Sequence, residues 1–152
     1  MNLLLTLVWV ALTGNFQVIN FFFGAALSFL VMRLSQGSEE DKKYFKRVPL
    51  AIGFIIYFFY ELVKANLQVA VDVIKPRLYI KPGIISYPLS VTSDFEITLL
   101  VNVISLTPGT LIIDISNDRK VLYIHAMFIR DREEFINSIK NGFEKRILAI
   151  SR

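Results

Sequence analysis

"LAIGFIIYFFYELVKANLQVAVDVI", residues 50–74, holds no proline and changes character in its middle. Residues 48–60 carry no charge and read as helix that is apolar on every side, a pattern that belongs in a membrane. From there on, Glu61, Lys64, Gln68, Asp72 and Lys75 recur at three- and four-residue spacing, which puts them on one helix face. Leu62, Val63, Leu67, Ala70, Val71 and Ile74 mostly cover the rest. Pro49 suits the first turn of such a helix, and Pro76 stops it. One helix thus begins as a membrane segment and ends with a polar stripe. Ionisable residues at membrane depth are functional candidates. The stripe reads as an interfacial face that docks a domain or partner; a place in an ion path is the alternative.

Towards the N-terminus the chain is more apolar still. Residues 1–34 carry one charged side chain, Arg33. "NLLLTLVWVAL" (2–12) and "FQVINFFFGAALSFLVM" (16–32) flank the break "TGN". Crossing a bilayer core takes about 20 helical residues, and about 17 at the least. The second run meets that limit, and the first does so only where the bilayer thins. A cleaved signal peptide would want a basic n-region and a following soluble domain, so the expectation is a short helical hairpin. Gly24, Ala25, Ala26 and Ser28 form a small-residue patch of the kind that lets membrane helices approach closely. With few helices of its own to receive it, the chain is expected to offer this patch to a partner.

"SQGSEEDKKYFKR" (35–47) reads as a charged loop. With Arg33 it sets five basic residues against Glu39, Glu40 and Asp41, which marks the cytoplasmic side. If the long helix then spans, everything after it lies outside. Yet Lys64, Lys75, Arg77 and Lys81 at its far end also ask for the inside. A tilted helix that returns to the same face satisfies both ends.

Beyond Pro76 charges recur every few residues. "LYIKPGIISYPL" (78–89) is β-rich around Pro82 and Gly83. "SDFEITLLVNVISL" (93–106) opens with Ser93 and Glu96 at the spacing of a capping box and is apolar on most sides, hence a largely buried helix with Asn102 as a core amide. "TLIIDIS" and "KVLYIHAMFI" are strands joined by "NDR". Alternation puts Leu111, Ile113 and Ile115 on one face, matched by Val121, Tyr123, His125 and Met127. Between helix and strand, Thr107, Pro108 and Gly109 make a structural turn. "DREEFINSIKNGFEKRILAI" (131–150) closes as an amphipathic helix with Phe135, Ile136, Ile139, Phe143, Ile147 and Ile150 on its buried stripe.

The expected fold is an α+β membrane protein. Residues 1–75 supply transmembrane helices (about 2–12, 16–34 and 48–75, a short hairpin plus one long helix), and residues 76–152 a small β-α-β-β-α domain. At about 75 residues that domain is near the lower end of comfortable independent stability.

Composition excludes much chemistry. Of the 152 residues 54% are hydrophobic, and none is cysteine, which removes thiol catalysis and Cys-ligated metals. His125 is the single histidine, so a multi-histidine metal site cannot form within the chain. The net charge of +4 is spread out, unlike a nucleic-acid-binding face. No Gly-rich phosphate loop precedes a helix. Asp114, Asp118 and His125 cluster near the hairpin, but Asp118 suits the turn and His125 a strand face. Glu39 with Glu40 and Glu133 with Glu134 suit a solvated loop and a first helical turn. Neither an enzyme nor a cofactor is expected.

"ELVKANLQVAVDVIKPRLYIKPGII" (61–85), "EITLLVNVISLTPGTLIIDIS" (96–116) and "LYIHAM" (122–127) resemble the E subunit of the multi-subunit Mrp-type Na+/H+ antiporters. Asn66, Gln68, Asp72, Pro76, Pro82, Gly83, Asn102, Ser105, Thr107, Pro108 and Gly109 match its pattern, and over residues 1–50 the likeness is one of hydropathy. The resemblance implies an accessory subunit of a plasma-membrane complex, multi-pass, with a cytoplasmic C-terminal domain. Its implied partners are the other subunits and the lipid bilayer, while larger subunits carry Na+ and H+. Gly24, Ala25, Ser28, Glu61, Lys64, Gln68 and Asp72 are the candidate partner interface. The alternatives are an ion path through Glu61, Lys64 and Asp72, or an autonomous membrane-anchored binding module.

Overall fold

The structure is a computed structural model that describes residues 1–35, 39–75, 81–129 and 131–152, the side chains of residues 39–41 excepted. Its contacts divide the chain into two compact units, Met1–Val48 and Pro49–Arg152. This is a division by packing; the expected boundary at residue 75 is a division by solvent.

In the first unit, α1 (Asn2–Thr13) ends at Gly14 in left-handed geometry, and α2 (Val18–Leu34) packs back against it. Polar side chains in this apolar hairpin satisfy one another. The Trp9 indole donates to Asn20 (3.1 Å), and the Asn20 amide donates to Thr13 (2.8 Å) and to the Asn15 carbonyl (2.7 Å). Buried Thr6 donates back to the Asn2 carbonyl. The patch on α2 finds its recipient within the chain: Gly24 and Ser28 are buried, and a Cβ at Gly24 would lie 2.7 Å from the Trp9 ring. The chain is expected to have few helices of its own to receive this patch; α1 receives it at Gly24. At 12 and 17 residues, α1 and α2 are about 18 and 26 Å long, short of a hydrocarbon core of about 30 Å.

The third helix, α3 (Glu39–Ile74), starts well before residue 48. The charged segment after residue 38 is therefore helix rather than loop, in keeping with its glutamates, lysines and arginine, all good helix formers. Pro49 lies inside α3 instead of in its first turn. Its missing N–H leaves one helical bond unmade, and the two units part at the same place. Lys42–Ile74 is long and apolar enough to cross a membrane. The expected stop at Pro76 lies outside the described residues.

The second unit carries the sheet. β1 (Gly83–Pro88), β2 (Thr110–Ile115) and β3 (Val121–Ala126) form an antiparallel sheet in the order β1-β3-β2. Leu122, Ile124 and Ala126 of β3 and Ile85 and Tyr87 of β1 point into the core, while Leu111, Ile113 and Tyr123 face out. The expected alternation on β2 breaks after Ile112, where a bulge shifts the register; Ile115 pairs with Leu122 and packs on the core instead of sharing a face with Leu111 and Ile113. Arg119 takes the left-handed position of the hairpin turn.

Between β1 and β2 lies α4 (Asp94–Leu106), opened by a complete capping box between Ser93 and Glu96. It buries one side, Ile97, Leu100, Val103 and Ile104, and exposes Phe95, Asn102 and Leu106. Asn102 is thus a surface residue and not a core amide. The C-terminal helix is continuous but changes pitch: α5 (Arg132–Ile139), capped by Asp131, passes through a π-helical turn (Lys140–Glu144) into α6 (Lys145–Ser151). Ile139, Phe143 and Ile147 are buried as the periodicity predicts.

Candidate functional site

Phe54 of α3 belongs to the core of the C-terminal domain, and half-buried Tyr57 and Phe58 pack against that core. Covered or half-covered positions recur along α3 at Phe54, Phe58, Glu61, Ala65, Val69 and Asp72, one stripe at helical spacing. The contact is closest at the π-helical turn. Gly142 lies so near α3 that a Cβ there would come within 2.7 Å of the Tyr57 hydroxyl. Phe143 meets Tyr57 edge-on at 5.3 Å and Phe54 at 6.5 Å. The Arg146 guanidinium stacks 3.6 Å from the Tyr57 ring centroid and donates to the Gly142 carbonyl at 2.8 Å. A π turn widens the helix by one residue per turn, and such turns recur at functional sites. Here it presents Phe143 to α3 and the neighbouring Glu144 to the β1–α4 connection.

Glu144 is 1% exposed. Its carboxylate accepts from the Tyr87 hydroxyl (2.8 Å) and from the backbone N–H groups of Ser90 (2.6 Å) and Val91 (3.2 Å). Burial, reinforced by the hydrogen bond to Glu144, pushes the Tyr87 phenol up from its ordinary pKa, so Tyr87 stays a donor. Glu96 fastens the chain end in a similar way. It accepts from the Ser151 hydroxyl and from the N–H groups of Thr92 and Ser93. These bonds, the Ser151 hydroxyl first, hold its pKa down at about 2.

Beside the clamp lie two clefts. One, of about 380 Å³, is bordered by Tyr57, Glu61, Lys64, Ser138 and Arg146. Its neighbour, of about 180 Å³, is bordered by Glu61, Lys64 and Gln68 on α3 and by Thr107, Pro108 and Gly109 across from them. The structure therefore brings together two features the sequence offered separately, the polar stripe and the turn. Gly109, at φ +87°, takes a conformation that L side chains rarely adopt. Thr107 N–H closes on the Ile104 carbonyl, and the Thr110 hydroxyl donates to Ile104 at 2.6 Å. Glu61 pairs with Lys64 at 3.5 Å and Asp72 with Lys75 at 2.8 Å. Asp118 bonds within its own turn, to Ser116 and the Lys120 N–H, as a turn residue should. Gly24, Ala25 and Ser28 belong to the other unit. Sequence reasoning missed Tyr57, Glu144 and Arg146. The one signal was a lone glutamate wedged between Phe143 and Ile147 of an otherwise apolar stripe.

This arrangement positions an apolar helix on a small domain. Comparison with known proteins agrees with a role in a membrane assembly. Residues 2–150 match the family described as "Na+/H+ ion antiporter subunit". The E subunit of the Na+/H+ antiporter of Bacillus subtilis is 38% identical over 152 residues, covering 100% of this chain and 96% of that protein. Its counterpart from Alkalihalophilus pseudofirmus is 34% identical at the same coverage. Among solved structures, a chain of the Mrp complex from Dietzia sp. superposes with a TM-score of 0.52 at 28% identity, over 68% of this chain and 98% of that one. A chain of the membrane-bound sulfane sulfur reductase, an archaeal respiratory membrane complex, gives 0.60 at 27% identity, over 98% of this chain and 95% of its own. With its whole length matched and its long apolar helix joined to a three-stranded α+β domain, the chain belongs to the family of E subunits of the Mrp-type Na+/H+ antiporters.

Proposed function

We propose that the chain is an accessory, assembling subunit of a multi-subunit Na+/H+ antiporter in the plasma membrane, alongside larger subunits that carry the Na+ and H+ paths. Residues 1–75 are its membrane part and residues 76–152 a cytoplasmic domain. The observation that carries this reading is the state of the ionisable groups on α3. Glu61 and Asp72 each sit beside a lysine one turn on, and Glu61, Lys64 and Gln68 border a cleft shared with the chain's own domain. A carboxylate in an ion path must exchange partners with its passenger, and an intrahelical lysine already beside it competes for that place. Gly24 and Ser28 build the hairpin, and Glu61, Lys64, Gln68 and Asp72 build the helix–domain unit. These two preassembled pieces are what the complex receives.

The test is Glu61→Gln in the intact complex, reconstituted in vesicles and assayed for Na+/H+ exchange. Exchange close to wild type with normal assembly is expected. Normal assembly with exchange abolished would instead put Glu61, Lys64 and Asp72 in the ion route. An affinity pull-down should recover the larger antiporter subunits in fixed proportion; recovery of the chain alone would point to an autonomous anchored module.

A further inference from the structure

The amphipathicity of α3 is inverted. On a helix that covers a soluble domain, apolar residues face the domain and polar ones face water. Here Glu61, Lys64 and Gln68 border clefts shared with the domain, while the opposite face is apolar except for Asn66, whose amide donates to the Leu62 carbonyl of its own helix. Ile52, Ile56, Phe59, Val63, Leu67 and Ile74 recur along that face, each between 53% and 82% exposed. This face runs on without a break from the charge-free residues 48–60.

We infer that α3 lies in the plane of the membrane surface over residues 52–74, its outer face in the acyl chains and the C-terminal domain seated on the opposite face. The inference rests on the membrane-subunit reading above. Three observations select this arrangement. The domain lies alongside α3 from Phe54 to Val69, a stretch of about 22 Å. An upright helix centred on the charge-free residues 48–60 would draw the Phe54–Glu61 part of that stretch, and the domain packed on it, into a hydrocarbon core of about 30 Å. The outer face is built of large branched and aromatic side chains, whereas helix–helix contacts in membranes favour Gly, Ala and Ser; lipid is therefore its occupant rather than a neighbouring helix. Finally, lysines stand near both ends, Lys42, Lys43 and Lys46 at one and Lys64 and Lys75 at the other. An in-plane helix leaves them all on one side of the bilayer, and the topological conflict in the sequence disappears.

The chain has no cysteine, so single spin labels can be placed through Ile56→Cys, Val63→Cys, Leu67→Cys and Ile74→Cys, with Ile52→Cys and Phe59→Cys as replacements for any that fails to insert. The labelled full-length chain, assembled into the antiporter complex in phosphatidylethanolamine–phosphatidylglycerol vesicles, is read by collision with oxygen and with a water-soluble nickel chelate. The expected result is one common depth for all positions, about 5–10 Å into the headgroup–acyl boundary. A depth that changes steadily, by about 27 Å over the 18 residues from 56 to 74 at 1.5 Å each, overturns the inference and leaves the subunit reading intact. Shielding from both reagents also overturns it, since another protein of the complex then covers the face. Full access to the nickel chelate at every position would sink the inference and the membrane reading together.

Discussion

Glu144 is the residue whose removal should cost the C-terminal domain most. Among the described residues, Glu144→Ala takes away the only side-chain acceptor of the Tyr87 hydroxyl and of the Ser90 and Val91 N–H groups. A buried donor left without a partner costs roughly 1–3 kcal/mol. Ser90 and Val91 lie at the start of a connection, and water reaches part of it, so their cost belongs at the lower end. Removing a buried carboxylate also returns some of its desolvation penalty. The balance is a loss of about 3–5 kcal/mol, a large fraction of the roughly 5–15 kcal/mol that holds a domain together. At about 4–8 °C per kcal/mol for a domain near 100 residues, the melting temperature should fall by at least about 12 °C. The assay is thermal unfolding of the detergent-solubilised full chain, followed by near-ultraviolet circular dichroism, with Tyr87→Phe and the double variant completing a cycle. A melting temperature within a few degrees of wild type for Glu144→Ala would refute the reasoning, because it would mean that the three donors find water without cost.

Three further outcomes follow from the same geometry. Glu96, with a folded pKa of about 2, lies below its unfolded value of about 4.3. It should contribute stability that is complete above about pH 4.3 and lost as pH falls through about 2, and Glu96→Gln should flatten that limb of urea midpoints measured between pH 5 and 2. Gly24→Leu must push Trp9 aside. Since Trp9 is the only tryptophan, its emission should shift to the red, and recovery of the chain with its complex should drop. Unchanged emission and recovery would contradict the hairpin packing. Gly142→Ala must displace the Tyr57 hydroxyl and should cost about 1 kcal/mol by overpacking, read as faster amide exchange in residues 140–146; protection equal to wild type would show that Tyr57 yields freely.

Much of the fold was legible because it is written in local patterns. Ser93 with Glu96 specified a helix start, Thr107 to Gly109 a turn, and the stripe from Phe135 to Ile147 a buried face, each within a few residues of its own position. The misreadings share one cause. The position of Pro49 suggested a helix start, yet tertiary context tolerates a proline ten residues into α3. The bulge after Ile112 carried Ile115 across the sheet, and no alternation rule contains an extra residue. Gly24 had no visible partner in the sequence because Trp9 lies on another helix.

The sequence by itself determined most of the helices and strands, the Ser93 cap, the Thr107–Gly109 turn and the family pattern they fit, though not the start of α3, because hydrophobic period, capping and turn chemistry act over a few residues. Only the tertiary structure decided that Glu61, Lys64 and Gln68 of α3 border a cleft with its own domain, that the Thr107–Gly109 turn stands across that cleft, and that Glu144 is a buried acceptor for Tyr87. Those outcomes depend on contacts between residues as much as 57 positions apart. Their energies come from burial and from satisfied donors, which arise only once the segments have packed.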